Sequence, residues 1–115
     1  MYEYNECVDL LERLVAKNHF VQKAIDQFWC TFSYYKQEEP EEYQRLFGHE
    51  GDCIKLYDTK ISLEVRKQSE EQSLENDYIH FVIKHNTYFK GRQIGYYKVL
   101  FTLEGEYDDD VLYFD

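Results

Sequence analysis

Four histidines, three cysteines and a run of three aspartates are the residues of this chain whose types could do chemistry. His80 and His85 lie five positions apart in a segment that alternates as a strand. An odd separation on a regular strand sends two side chains to opposite faces, so the pair cannot share one metal ion. His49 and Cys53 have a looser ligand-like spacing around Gly48 and Gly51, but no second pair completes a zinc site. Asp108-Asp109-Asp110 lacks the alternate-ligand spacing and closing glutamate of a calcium loop, and reads as a turn. Cys30 follows Trp29 inside a helical apolar stripe, which predicts a buried, inert thiol. Ser33, Ser62, Ser69 and Ser73 sit in no nucleophile motif, and no HExxH, P-loop or GxGxxG occurs. Asp26 and His80 remain as an acid–base pair, should the fold bring them to one cavity. The expectation is a chain with no metal, no cofactor and no catalytic role.

Two halves must position these residues, and they differ in period. Up to about residue 48 the apolar spacing is helical. Cys7, Leu10, Leu11, Leu14 and Val15 form one stripe, and Asn18 interrupts it. Phe20, Ala24, Phe28 and Phe32 form a second at steps of four, flanked by Val21, Ile25 and Trp29, which predicts a deeply buried helix. A third helix is expected from Pro40 to Phe47. Proline suits its first turn, Glu41 and Glu42 suit the positive end of its dipole, and Gly48 suits its stop.

Beyond Gly48 the period becomes two. Strands are expected at 53–57, around Ile61-Leu63-Val65, around Ile79-Phe81-Ile83, around Tyr97-Val99-Phe101-Leu103, and at 111–114. Polar connections fall at Gln68–Asp77 and Asn86–Gln93, with Gly91 free to turn. Gly105 and the aspartate run make the last turn. The fold class is therefore α+β: N-terminal helices packed on one face of a curved antiparallel sheet of four to five strands. At 115 residues the chain forms a single domain, 1–115, long enough to hold a core without disulfide or metal.

Charge is the strongest compositional signal. The formal net charge is −10, in a chain with 12 tyrosines and 8 phenylalanines. Acids cluster from Glu38 to Asp52, in Gln68–Asp77 and from Glu104 to the end, whereas Lys84, Lys90, Arg92 and Lys98 form a segment without acids. Such acidity opposes direct binding to nucleic acid or anionic lipid. No apolar run reaches the roughly 20 residues that span a bilayer. The acidic start offers no signal peptide, and three cysteines without a CxxC spacing suit reduced thiols in a cytoplasmic protein. Clustered carboxylates steer a basic protein, and tyrosines among them supply contact area. The candidate partner-binding residues are Glu104, Glu106, Tyr107, Asp108, Asp109, Asp110, Tyr113 and Asp115, together with Glu41, Glu42 and Tyr43. The plainer alternative is a solubilising rim over the core.

The order of elements resembles folds in which a curved sheet wraps a helix, such as the cystatin-like and nuclear-transport-factor-like folds. In size, acidity, aromatic content, cysteine usage and lack of catalytic motifs, the chain also resembles bacterial toxin–immunity proteins, including those of contact-dependent growth inhibition. That second resemblance implies an inhibitor that neutralises a basic nuclease toxin by occluding its active site. Two alternatives compete with it: a phage-type nucleic-acid mimic that blocks a defence protein, and a small ligand-binding protein or enzyme of the nuclear-transport-factor-like kind.

Overall fold

A computed structural model of the chain describes residues 4–66 and 78–115. Its elements are α1 (Tyr4–Asn18), α2 (Phe20–Glu38), α3 (Pro40–Phe47), a single 3₁₀ turn (Gly51–Cys53), β1 (Lys55–Arg66), β2 (Tyr78–Phe89), β3 (Arg92–Thr102) and β4 (Tyr107–Phe114). The strands form one antiparallel sheet in the order β1-β2-β3-β4, a meander left open at β1 and β4. The fold is α+β, with helices first and then a curved sheet. The connection expected at Gln68–Asp77, with its acids, lies outside the described residues.

The core forms where the two periods meet. Steps of four on α2 place Phe20, Ala24, Phe28 and Phe32 on one line, and all four are buried. Beneath them lie Phe81 and Ile83 of β2 and Tyr97, Val99 and Phe101 of β3. Phe20 contacts Phe81 and Phe101 at ring separations of 4.7 and 5.1 Å. α3 closes the far end with Tyr43 and Phe47. Rings at 4.5–7 Å in offset or edge contact add to the burial itself, and Phe32 is the hub: it meets Phe28, Tyr43, Phe47 and Phe114 at 5.3–6.0 Å.

Several expectations need correction. The two short strands at 53–57 and 61–65 are one strand, β1, with an irregularity between Tyr57 and Lys60. Asp58 adopts φ 56 there, and its carboxylate accepts hydrogen bonds from Asn86 Nδ2 at 3.2 Å and Tyr88 Oη at 2.9 Å. The kink is thus stitched to β2 rather than ending the strand. The stretch Asn86–Gln93 is mostly strand, because Lys90 and Gly91, at φ 54 and 77, make the two-residue turn that a tight hairpin prefers. Asp108–Asp110 is not a turn. The turn is earlier, where Thr102 N–H donates to Glu106 O and Gly105 takes φ 91.

Cys30 is exposed, as are Cys7 and Cys53, and all three are free thiols. Two residues along a helix rotate about 200°, so Cys30 points away from the Phe28 side. The α1 stripe is only half used: Leu14 and Val15 pack on the core, while Leu10 and Leu11 are 51% and 38% exposed. Trp29, expected inside, is 37% exposed on the flank of α2 and stacks on Phe28.

Candidate functional site

The acidic C-terminal segment is an edge strand held down by α2. Lys23 Nζ donates to Gly105 O at 3.0 Å, Thr31 Oγ1 donates to Asp110, and Phe32 and Tyr35 meet Phe114 at 6.0 and 5.3 Å. Helix and strand therefore run side by side from one end of β4 to the other. Gly95 lets the strand come close: a Cβ there would lie 1.9 Å from Tyr113 O.

The three aspartates have three different surroundings. Register places Asp109 opposite Leu100 and Asp110 opposite Val99, with Asp108 in the irregularity before Tyr107 pairs with Phe101. Asp110 faces α2. Its carboxylate accepts from Thr31, from Tyr97 Oη at 2.9 Å and from Tyr107 Oη at 2.8 Å. A partly buried carboxylate with three hydroxyl donors is satisfied within the chain. Burial, reinforced by Asp110, holds the Tyr97 hydroxyl far above the ordinary tyrosine range, and the same two causes push Tyr107 up to about 12. Asp108 and Asp109 are exposed, as are Glu104, Glu106 and Asp115. Asp109 Oδ1 also accepts from Asp110 N–H at 2.8 Å. Tyr107 and Tyr113 are 49% and 47% exposed, and interaction with Asp115 raises the Tyr113 hydroxyl.

The second predicted cluster divides. Glu41 is exposed and Glu42 half-buried in the first turn of α3. Tyr43, expected beside them as a surface anchor, is instead a core residue at 9% exposure, its ring 5.4 Å from Phe32 and Phe47. The ring faces inward because Tyr43 and Phe47 share one helix face four residues apart. Burial first, and then the Glu42 carboxylate, drives the neighbouring Tyr35 hydroxyl well above its ordinary range. Because Tyr35 touches both Tyr43 and Phe114, the α3 acids adjoin the C-terminal end of β4. Asp109 lies about 17 Å back along the strand, at roughly 3.4 Å per residue. The two clusters stand at opposite ends of one α2–β4 flank.

The acid–base pair does not assemble. Asp26 is exposed on α2 and receives Gln22 Nε2 at 2.9 Å. His80 is on the sheet face away from the helices, 3% exposed, with Nε2 3.6 Å from Glu64 Oε2. His85, on the helix face, holds Thr59 Oγ1 at 2.8 Å from Nδ1, and burial lowers its pKa. Phe28, Phe32, Phe81 and Phe101 fill the space between helix and sheet. Among the described residues, no group of three His, Cys, Asp or Glu could hold a metal ion, and no helix is long and apolar enough to cross a membrane.

The base-rich segment also resolves into a pattern that spacing along the chain conceals. Lys84 pairs in register with Lys60 on one side and Lys98 on the other, making a lysine row across the sheet face away from the helices. Lys98 therefore does not oppose an aspartate; its β4 partner is Val111. The next row contains Tyr57, Asn86, Tyr96 and Tyr113, and Lys84 Nζ sits 4.5 Å from the Tyr96 ring centre. On the helix side, a groove of about 750 Å³ runs between α1 and β1, lined by Val8, Leu11, Val15, Ile61, Leu63 and Phe81. Comparison of the chain with protein-family models, with curated proteins and with solved structures finds no match.

Proposed function

We propose that this chain is a non-catalytic, immunity-type inhibitor that binds a basic protein, a nuclease toxin, in the cytoplasm and occludes its active site. One observation carries the reading: the β4 edge holds exposed Asp108 and Asp109 beside half-exposed Tyr107 and Tyr113 on a strand fixed along its length to α2. Carboxylates on a fixed strand need little ordering on binding, which lowers the cost of association. They also stand where phosphates would stand in the toxin's own substrate, and attract the same bases. Glu104, Glu106 and Asp115 extend this edge, and Glu41 and Glu42 add a second negative point at its far end. Asp110 and Tyr43 support the edge from within, so neither belongs to the contact surface. Three exposed free thiols suit a reducing compartment.

The test uses a panel of active-site-inactivated bacterial nuclease toxin domains for binding, and the active forms for inhibition. The expected result is a one-to-one complex with one toxin, loss of its nuclease activity, and association that slows with salt. Asp108→Asn with Asp109→Asn slows association about tenfold, the low end of steering effects, with little change in dissociation. Unchanged association and salt dependence would remove β4 from the interface, and absence of binding across the panel would overturn the reading. Broad competition with DNA for unrelated DNA-binding proteins would instead indicate a nucleic-acid mimic.

A further inference from the structure

The other edge of the sheet has the opposite character. β1 carries Lys55, Lys60 and Arg66 against Asp58 and Glu64, whereas β4 carries three aspartates and no base. Its helix-facing residues Ile61, Leu63 and Val65 are 43%, 47% and 55% exposed, and Ile79, which pairs with Val65, is 45% exposed. A long open edge with uncovered apolar side chains is a template for another strand. Proteins blunt such edges with bulges, lysines, proline or inward charge; β1 has an irregularity between Tyr57 and Lys60, but the helix-side positions Ile61, Leu63 and Val65 beyond it are all apolar.

The strand itself specifies its partner. When two copies of one strand pair antiparallel about a two-fold axis, position i meets j and j meets i. An axis at Ser62 sets Lys60 of each copy opposite Glu64 of the other, with Ile61 opposite Leu63 on the helix face. An axis at Leu63 sets Lys60 opposite position 66, also basic in the sequence, and like charges directly opposed repel. The lysine row points the same way. Lys60, Lys84 and Lys98 are opposed on three adjacent strands, and the row ends in the open at β1. Glu64 of a second copy falls on that end. Glu64 has room to serve, because its side chain is 53% exposed although it lies near His80. The acids of β4 lie three strand spacings away, about 14 Å, which exceeds the Debye length of about 8 Å at physiological salt.

We infer that the chain forms a two-fold homodimer by antiparallel β1–β1 pairing centred on Ser62, joining the two sheets into one. The Ile61–Leu63 contacts of both copies then cover the helix-side apolar strip beside the α1 groove. Both β4 edges remain at the outer ends, so the dimer is independent of the inhibitor reading, and either stands if the other fails.

Sedimentation equilibrium across a concentration series tests it through charge exchange. Wild-type protein runs at twice the chain mass. Lys60→Glu alone and Glu64→Lys alone each set two like-charged pairs across the axis, and each weakens the dimer by about four- to several-hundred-fold. A mixture of the two variants restores opposite charges at both pairs, and runs as a heterodimer. A folding defect is not repaired by mixing, so this outcome separates the interface from stability. Independently, Ser62→Cys in a chain with Cys7, Cys30 and Cys53 changed to Ser forms an intermolecular disulfide on mild oxidation. A wild-type monomer at about 100 μM, or a dimer indifferent to both charge changes and not cross-linked through position 62, overturns the proposal.

Discussion

The two edges of this sheet are built in contrasting ways. β4 is acidic yet anchored: α2 meets it at Gly105, Asp110 and Phe114, and its one inward carboxylate is satisfied by three hydroxyls. β1 is nearly balanced in charge yet under-covered, because α1 spans it across a groove and leaves Ile61, Leu63 and Val65 open. Charge by itself therefore does not mark which edge is finished. An acidic strand can be integrated when its inward acid finds donors, and a more apolar strand can remain unfinished when no helix reaches it. In the two proposals made above, the first edge meets a foreign basic surface and the second meets a copy of itself.

The contrast can be broken most forcefully at the core beneath β4. Phe32→Ala removes the ring that joins α2, α3 and Phe114, and should cost about 3–5 kcal/mol in chemical denaturation. Next is Asp110→Ala, which strands the Thr31 and Tyr97 hydroxyls. Hydrogen bonds to a charged group contribute about 1.5–3 kcal/mol, so a loss in that range is expected. Burial first, and then Asp110, pushes the Tyr107 hydroxyl up, so loss of Asp110 should lower its ionisation pH while burial keeps it above the ordinary value, as followed by ultraviolet titration.

A smaller effect depends on pH and sharpens the β1–β2 side. Burial holds the His85 pKa below its ordinary 6.5. Around and below pH 6.5 the unfolded chain takes up this proton before the folded one. The stability contributed by neutral His85 is therefore complete above that range and declines as pH falls toward the folded value. The slope from one proton is at most about 1.4 kcal/mol per pH unit. Unfolding of wild type and His85→Gln between pH 7.5 and 5.5 measures it, and equal slopes would contradict it. The smallest effect is expected at the open edge. In dilute monomer Leu63→Ala should change stability by about 0.5 kcal/mol, as for other surface positions, and a loss near that of Phe32→Ala would show that β1 is covered after all.

Much of the architecture was legible in the residues. Phe20, Ala24, Phe28 and Phe32 announce a buried helix face because steps of four stack on one line, and Pro40–Phe47 has both its start and its stop written in side-chain chemistry. The alternating segments of β2 and β3 are equally plain. The candidate site was legible only in part. Net charge and tyrosine count pointed to an acidic edge, but local spacing could not separate Asp110 from Asp108 and Asp109. That distinction depends on Thr31, 79 residues away in sequence. The burial of Tyr43 is hidden from the sequence for a related reason: its neighbours along the chain are glutamates, while its inward partner Phe32 belongs to another helix. Cys30 shows the converse, since an apolar neighbourhood along the chain does not make a residue face the core.

What the sequence determined by itself is the set of periods, the helix and hairpin punctuation, and the surplus of acid, because each depends on residues within a turn or two of one another. Tertiary structure alone decided the pairing register and the reach of the helices. Register aligns Lys60, Lys84 and Lys98 across three strands, and turns one aspartate inward while its neighbours stay in water. The reach of α2 pins β4, and the shorter hold of α1 leaves β1 open. Both are settled by contacts between residues far apart in the chain, whose energies no local pattern carries.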